Sequence, residues 1–262
     1  MPKVYLHLVR HAQGFHNLSI ENHILPDPAL TPLGKSQCKT LSTTFPHHSV
    51  ITHLVASPLR RTLYTCLLSF PAAVSAGKKV LALPELQETS SLPCDTGSAP
   101  SILAAEFGPS GNVDLSLVQD GWNTNTGRWL PSASAIEARA REARFFLRQL
   151  GQEGVARTGV DQHVVVVTHG GYLHYLTEDW DGHEKFTGTG WANTEFRSYE
   201  FESGTDGNAG LVETGESRGR RRGREIPLTR EEQRVLRSSA EKGWGDSGFQ
   251  VPAEVEGESA KL

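Results

Sequence analysis

Val164-Val165-Val166-Val167-Thr168-His169-Gly170-Gly171 is the stretch that decides the architecture. Four consecutive β-branched residues without polar alternation suit a strand buried on both faces, the pattern of a parallel sheet covered on each side. That strand then stops abruptly at a histidine followed by two glycines. Two other stretches repeat the plan. Val4-Tyr5-Leu6-His7-Leu8-Val9 runs straight into Arg10-His11, and Leu54-Val55-Ala56 into Ser57-Pro58-Leu59-Arg60-Arg61-Thr62. Helical segments lie between these runs. Thr31-Pro32 reads as an N-cap followed by a proline at the first helical position, opening a helix through about Phe45. A second helix is expected from Pro58 through Leu68. A third is marked by the apolar stripe Ile136, Ala140, Ala143, Leu147 and Leu150. Strands alternating with helices predict an α/β class protein, a three-layer α/β/α sandwich with a mostly parallel central sheet.

The rest of the composition narrows the setting. The chain has 262 residues, 37% of them hydrophobic and 21% charged, with a formal net charge of −4. That balance exerts no global pull toward nucleic acid or membranes. No apolar run approaches the roughly 20 residues needed to span a bilayer. The N-terminus has a short apolar stretch but no small-residue cleavage site, so it is read as a strand and not a signal peptide. Cys38, Cys66 and Cys94 form no CxxC pair and no zinc set. Reduced thiols, and so a cytoplasmic or nuclear location, are the expectation. From about Ser203 the texture changes to Gly, Ser, Glu and Arg, with the dense basic run Arg218 to Arg224. So few large apolar residues predict a polar, partly disordered tail over 203–262, with the domain boundary near Glu202. Within it, Thr229 and Glu232 form a capping-box pattern for a short helix over 229–241. The basic run, flanked by Glu213, Glu216 and Glu225 and lacking interleaved aromatics, reads as a solvated linker. Its other readings are a nuclear address or an RNA contact.

In parallel α/β sheets, ligands bind outside the carboxyl ends of the strands. If the three strands are parallel neighbours, two histidines and at least two arginines converge on one crevice. Guanidinium forks with imidazoles make a site for a dianionic group, of which phosphate is the common example. The motifs that follow from this are Leu8-Val9-Arg10-His11-Ala12-Gln13-Gly14-Phe15-His16-Asn17, Ser57 to Thr65, Leu86-Gln87-Glu88 and Val166 to Gly171. In that order they resemble the signatures of the histidine phosphatase (phosphoglycerate mutase-like) superfamily over residues 4 to about 202. Pro93 to Gly97, Leu173 to Trp180 and Gly188 to Glu195 are similar to a mainly fungal branch of phosphomutase-like, or phosphoglycerate mutase family, proteins.

The resemblance implies a phosphoglycerate mutase-like fold over 1–202 and metal-independent phosphoryl chemistry without a cofactor, shared by phosphatases and mutases, on a small phosphorylated metabolite. His11 would be the nucleophile, His169 a second catalytic histidine, and Glu88 the proton donor. Arg10, Asn17, Arg61 and His169 would bind the phosphate. The chemistry agrees: a neutral imidazole presents a lone pair when its other nitrogen is held as a donor. Phosphoryl transfer needs mainly positioning and charge stabilisation. Asp95 competes with Glu88 as the acid, its other reading being a turn aspartate; Glu88 is preferred. Ala12 stands where the family has glycine, so the turn there should keep a negative φ. His16 reads equally as a pocket residue or a solvent-facing one, and Arg60 should point away. His163, His174 and His183 match no common metal-ligand spacing.

The insertion over about 85–130 would supply the lid. From Glu85 to Gly127 it has no Lys, Arg or His, but six acids: Glu85, Glu88, Asp95, Glu106, Asp114 and Asp120. A phosphoglycerate mutase must grip a carboxylate and a second phosphate, so hydrolysis of a monoester with a neutral, apolar or cationic alcohol is the expectation. Arg128 or the arginine tail could still bring the missing charge. Gln13, His16, Asp95 and Trp122 are the pocket candidates, with Leu103, Phe107 and Trp129 as further apolar contacts. Mutase-type transfer is the alternative, and a phosphate-binding pseudoenzyme a third reading.

Overall fold

The computed structural model describes residues 2–183, 189–202, 207–221 and 226–251. Seven strands form one sheet: β1 Val4–Arg10, β2 His53–Ala56, β3 Val80–Ala82, β4 Val113–Asp114, β5 Gln162–Thr168, β6 Phe196–Phe201 and β7 Leu211–Glu213, in the order β4-β3-β2-β5-β1-β6-β7. From β4 through β1 every pairing is parallel, while β6 and β7 are antiparallel additions. The valine strand β5 sits between β2 and β1, with Val167 level with both Ala56 and Val9. The three strand ends picked out by the sequence are therefore neighbours at the same level.

The helices are α1 Pro32–Thr44, α2 Arg60–Ser69, α3 Pro71–Ser75, α4 Pro100–Phe107, α5 Ala133–Thr158, α6 Gly170–Thr177, α7 Gly215–Arg220 and α8 Arg230–Asp246. Alternate residues of each strand face opposite sides. Val9, Ala56, Val165 and Val167 pack with Leu41, Leu63, Cys66 and Phe107 of α1, α2 and α4. Leu6, Leu8, Val55, Val164 and Val166 pack with Ile136, Ala140, Leu147, Leu173 and Ala240 of α5, α6 and α8. Two apolar faces on one sheet, each covered by helices, give the expected three layers. Thr31 caps α1 by accepting from the Gly34 N–H at 3.0 Å. Helix α5 starts on Ser132 and runs on to a left-handed Gly159, past the Leu150 where the apolar stripe was read to end.

Two regions differ from the sequence reading. Residues after Glu202 supply an edge strand, β7, and two helices. Helix α8 opens on the expected capping box of Thr229 and Glu232 but extends to Asp246. The apolar residues there are few but spaced for one face: Leu236, Ala240 and Trp244 all pack into the core. Composition registers their scarcity and misses the i, i+4, i+8 spacing. Of the basic run, Arg218, Arg220 and Arg221 pair with acids of this chain: Glu213, Glu216, and the set Asp179, Asp181 and Glu213. Arg222 to Arg224 lie outside the described residues, as does Gly188 of the Gly188 to Glu195 stretch.

The insertion is the second difference. Only its first part borders the site; beyond Gly97 it turns inward, and Leu103, Phe107, Val113, Val118 and Trp122 join the core. Trp122 is 2% exposed, and its ring lies so close over Gly97 that a Cβ there would stand 2.1 Å from it. Trp122 is thus a core residue and not a pocket residue, because the insertion must bury its own apolar groups against the β2–β4 end of the sheet. Trp129 stacks under Arg128, which pairs with Glu85 and Glu142. No helix among the described residues is long and apolar enough to cross a membrane.

Candidate active site

The backbone at the carboxyl ends of β1, β2 and β5 is stitched together. His11 N–H donates to the Thr168 carbonyl at 2.9 Å, and Ser57 N–H to that of Val167 at 3.0 Å. The side chains that follow are drawn into one cluster, with the His11 and His169 rings 5.2 Å apart and those of His11 and His16 5.4 Å.

His11 is 2% exposed. Its Nδ1 lies 2.8 Å from the Ala12 carbonyl, which can only accept, so Nδ1 carries the proton and Nε2 the lone pair. Burial, with Arg61 and Arg10 close by, holds the imidazole well below its ordinary pKa. A neutral imidazole with its lone pair on Nε2 follows from geometry and charge alike. Ala12 has no positive φ, so alanine is accommodated without strain. Its N–H donates to Thr65 Oγ1, whose hydroxyl donates to the Arg61 carbonyl, tying the histidine loop to α2.

Arg61 is fully buried. It donates to the Cys94 carbonyl at 2.5 Å, to Asp95 Oδ1 at 2.8 Å and to His169 Nδ1 at 3.0 Å. Because Nδ1 of His169 accepts, Nε2 must carry its proton, and it meets Ser57 Oγ at 2.9 Å. Arg10 donates to the Trp191 carbonyl. The Nε–H groups of Arg10 and Arg61 are buried without a partner. Buried donors of this kind call for an anion or another acceptor. Asn17 holds the turn by accepting from the Gly14 N–H at 3.0 Å.

Glu88 is placed by a different device. Its carboxylate accepts from the N–H groups of Tyr172 (2.9 Å) and Gly171 (3.3 Å) at the start of α6. A Cβ on Gly171 would stand 2.9 Å from Glu88 Oε1, so glycine is what permits this approach. Arg139, which the sequence reading passed over, clamps the chain here by donating to the carbonyls of Glu85, Gln87 and Glu88 at 3.0, 2.6 and 3.0 Å. Burial, reinforced by Asp95, pushes the Glu88 carboxyl up to about 7, against the opposing pull of Arg61 and the α6 N–H groups. Asp95 is committed elsewhere: Oδ1 to Arg61, and Oδ2 to the Ser90 hydroxyl at 2.5 Å. Asp95 thus has both oxygens engaged, whereas Glu88 bonds only backbone N–H groups.

A cavity of about 550 Å³ opens over this cluster, with Arg10, His11, His16, Asn17, Glu88 and Asp95 in its wall. Arg61 and His169 are not in the wall; Arg61 bonds both the wall residue Asp95 and His169. Gln13 is not in the wall; its side chain accepts from the Thr31 hydroxyl at the start of α1. Arg60 points away, paired with Glu106. A larger groove of about 850 Å³ near Lys3 and Glu200 contains none of the histidines and is not the candidate site. Among the described residues no group of three or more His, Cys, Asp or Glu side chains is arranged to hold a metal ion. His163 lies instead beside His7, and His174 between the carbonyls of Asp179 and Thr189. Further lining residues lie outside the sequence motifs: Ile20 and His23 come from the loop after β1, and Trp244 and Phe249 from the end of α8. A tryptophan within an otherwise polar segment was the available signal.

The family model of the histidine phosphatase superfamily (branch 1) matches residues 6–209. The chain belongs to that superfamily. Its fold is similar to that of the ecdysone phosphate phosphatase from Bombix mori, with a TM-score of 0.53, 15% identity, and 87% of this chain and 95% of that one covered. It is also similar to phosphoglycerate mutase from Bacillus anthracis, with a TM-score of 0.50, 17% identity and coverage of 81% and 92%. The mycobacterial glucosyl-3-phosphoglycerate phosphatase gives a TM-score of 0.50 at 18% identity, covering 80% and 96%. These likenesses bear on the fold. A search of curated proteins finds no match to the sequence.

Proposed function

We propose that this superfamily member hydrolyses a phosphate monoester of a small metabolite through a phosphohistidine on Nε2 of His11. The observation that carries the reading is the tautomer. The Ala12 carbonyl accepts from Nδ1–H, leaving the lone pair on Nε2, with two arginines close by and a carboxyl raised to about 7. In the first step Nε2 attacks phosphorus and the P–O ester bond breaks. Glu88 gives its proton to the departing alcohol oxygen. In the second step water attacks phosphorus, the Glu88 carboxylate takes its proton, and the P–N bond breaks to release phosphate. Arg10 and Arg61, with the Nε2–H of His169, offset the charge on the phosphoryl oxygens. That role is why no metal is required, and turnover is expected to persist in EDTA.

Hydrolysis is favoured over mutase transfer by the wall. Among the described residues lining the cavity, Arg10 is the only Lys or Arg. The described arginines of the basic run, like Arg128, are paired elsewhere. A second phosphate and a carboxylate would have little to hold them. A kinetic panel tests this: release of inorganic phosphate from monoesters is expected, and efficient 2,3-bisphosphoglycerate-dependent mutase turnover would overturn it. Phosphate binding without release from any monoester would favour a non-catalytic binding module.

A further inference from the structure

We infer that the turn ending α8, Trp244 to Phe249, is the substrate-selecting wall of this cavity and accepts a flat aromatic alcohol. The inference rests on reading the cavity as a phosphate monoesterase site and names the substrate class.

The cavity wall carries both charged and apolar side chains. Arg10, Glu88 and Asp95 share the wall with His11, and Ile20, Leu92, Trp244 and Phe249 give it an apolar part, with the Phe249 ring against His23. The apolar part is built and held. Before the turn, Gln233 accepts from the Trp180 N–H at 2.7 Å and donates to Asp179 at 3.0 Å. Arg237 makes a bidentate pair with Glu137 of α5. After the turn, Gln250 accepts from the Tyr175 hydroxyl at 3.1 Å, and Val251 N–H donates to the Pro131 carbonyl at 2.8 Å. Between these anchors Gly248 adopts a left-handed φ of 71°, and Phe249 N–H returns to the Trp244 carbonyl at 2.9 Å. The reversal brings the Phe249 ring edge-on to His23, 6.0 Å between centroids. Trp244 packs against His183, Trp180 and Tyr175 at 5.3, 6.0 and 6.3 Å, which fixes its plane.

An alcohol bound beside His11 shares one cavity of about 550 Å³ with these rings. A carboxylate or second phosphate would be desolvated there without a cation. A flat apolar ring gains both burial and face or edge contacts with Phe249 and Trp244.

The test uses non-hydrolysable probes, 1-naphthylmethylphosphonate and methylphosphonate, titrated calorimetrically into the full chain. The wild type should prefer the naphthyl probe at least tenfold, and Phe249→Ala should cut that preference about tenfold. Phe249→Leu, which keeps the bulk of the turn, should also lose most of it. No preference in the wild type, an equal loss for both probes, or full preference in Phe249→Leu would overturn the inference. Because phosphonates cannot phosphorylate His11, the result stands apart from catalysis. An intact preference without turnover of 1-naphthyl phosphate would sink the hydrolase reading alone.

Discussion

The floor of the cavity comes from three adjacent parallel strands, and its reactive side chains are pinned by backbone atoms: His11 by Ala12, Glu88 by Gly171 and Tyr172, Arg61 by Cys94. The mouth comes from segments more than 200 residues apart and is lined largely by rings and neutral side chains. The contrast separates two tasks. Charge development in phosphoryl transfer is common to every monoester, so the groups that meet it belong on the stiffest part of the fold. The alcohol differs between substrates, and its contacts come from segments that can vary without disturbing the sheet.

If that division is right, substitutions in the floor should lower kcat whatever the alcohol, whereas those in the mouth should act on KM and on choice. The largest effect is expected at Glu88. Replacing it by Gln should lower kcat on an alkyl phosphate by about 10²–10⁴. It should also remove one limb of the pH profile. The carboxyl, raised to about 7, is protonated below that pH and ionised above it, so the wild-type acid step fails as pH rises through about 7. The ratio of wild-type to Glu88→Gln rates should therefore fall about tenfold per pH unit above 7, and a flat ratio would remove Glu88 from the acid role. Arg10→Met should follow, at about 10²–10³ in kcat, the effect of losing one transition-state donor. An effect confined to KM would place Arg10 in ground-state binding instead. The smallest catalytic effect is expected at Trp122. Its replacement by Ala should cost about 3–5 kcal/mol of stability in chemical denaturation, as core tryptophans do. KM should shift less than twofold. A large KM change would return Trp122 to the mouth.

The same division explains what could be read in advance. Strand ends followed by His or Arg are local patterns, and the pairing of β2, β5 and β1 makes their convergence nearly automatic, so His11, Arg61 and His169 were visible. Glu88 was visible through its motif, but the clamp that Arg139 places on it depends on α5 crossing beneath the loop, which no local pattern encodes. Trp122 was misplaced because an aromatic in a polar insertion reads the same whether it faces a pocket or packs over Gly97. The closing wall was hidden for a related reason. The segment after Glu202 is poor in apolar residues, and only its spacing along α8, together with Arg237 and Gln233 finding partners far away in sequence, holds it on the core.

The central claim is a phosphoryl group on His11. Brief reaction with a ³²P-labelled aryl phosphate, followed by denaturation and division of the sample between acid and alkali, tests it most directly. The account predicts label that is lost in acid, survives alkali, and is absent from His11→Ala. Acid-stable label, or label retained in His11→Ala, would contradict it.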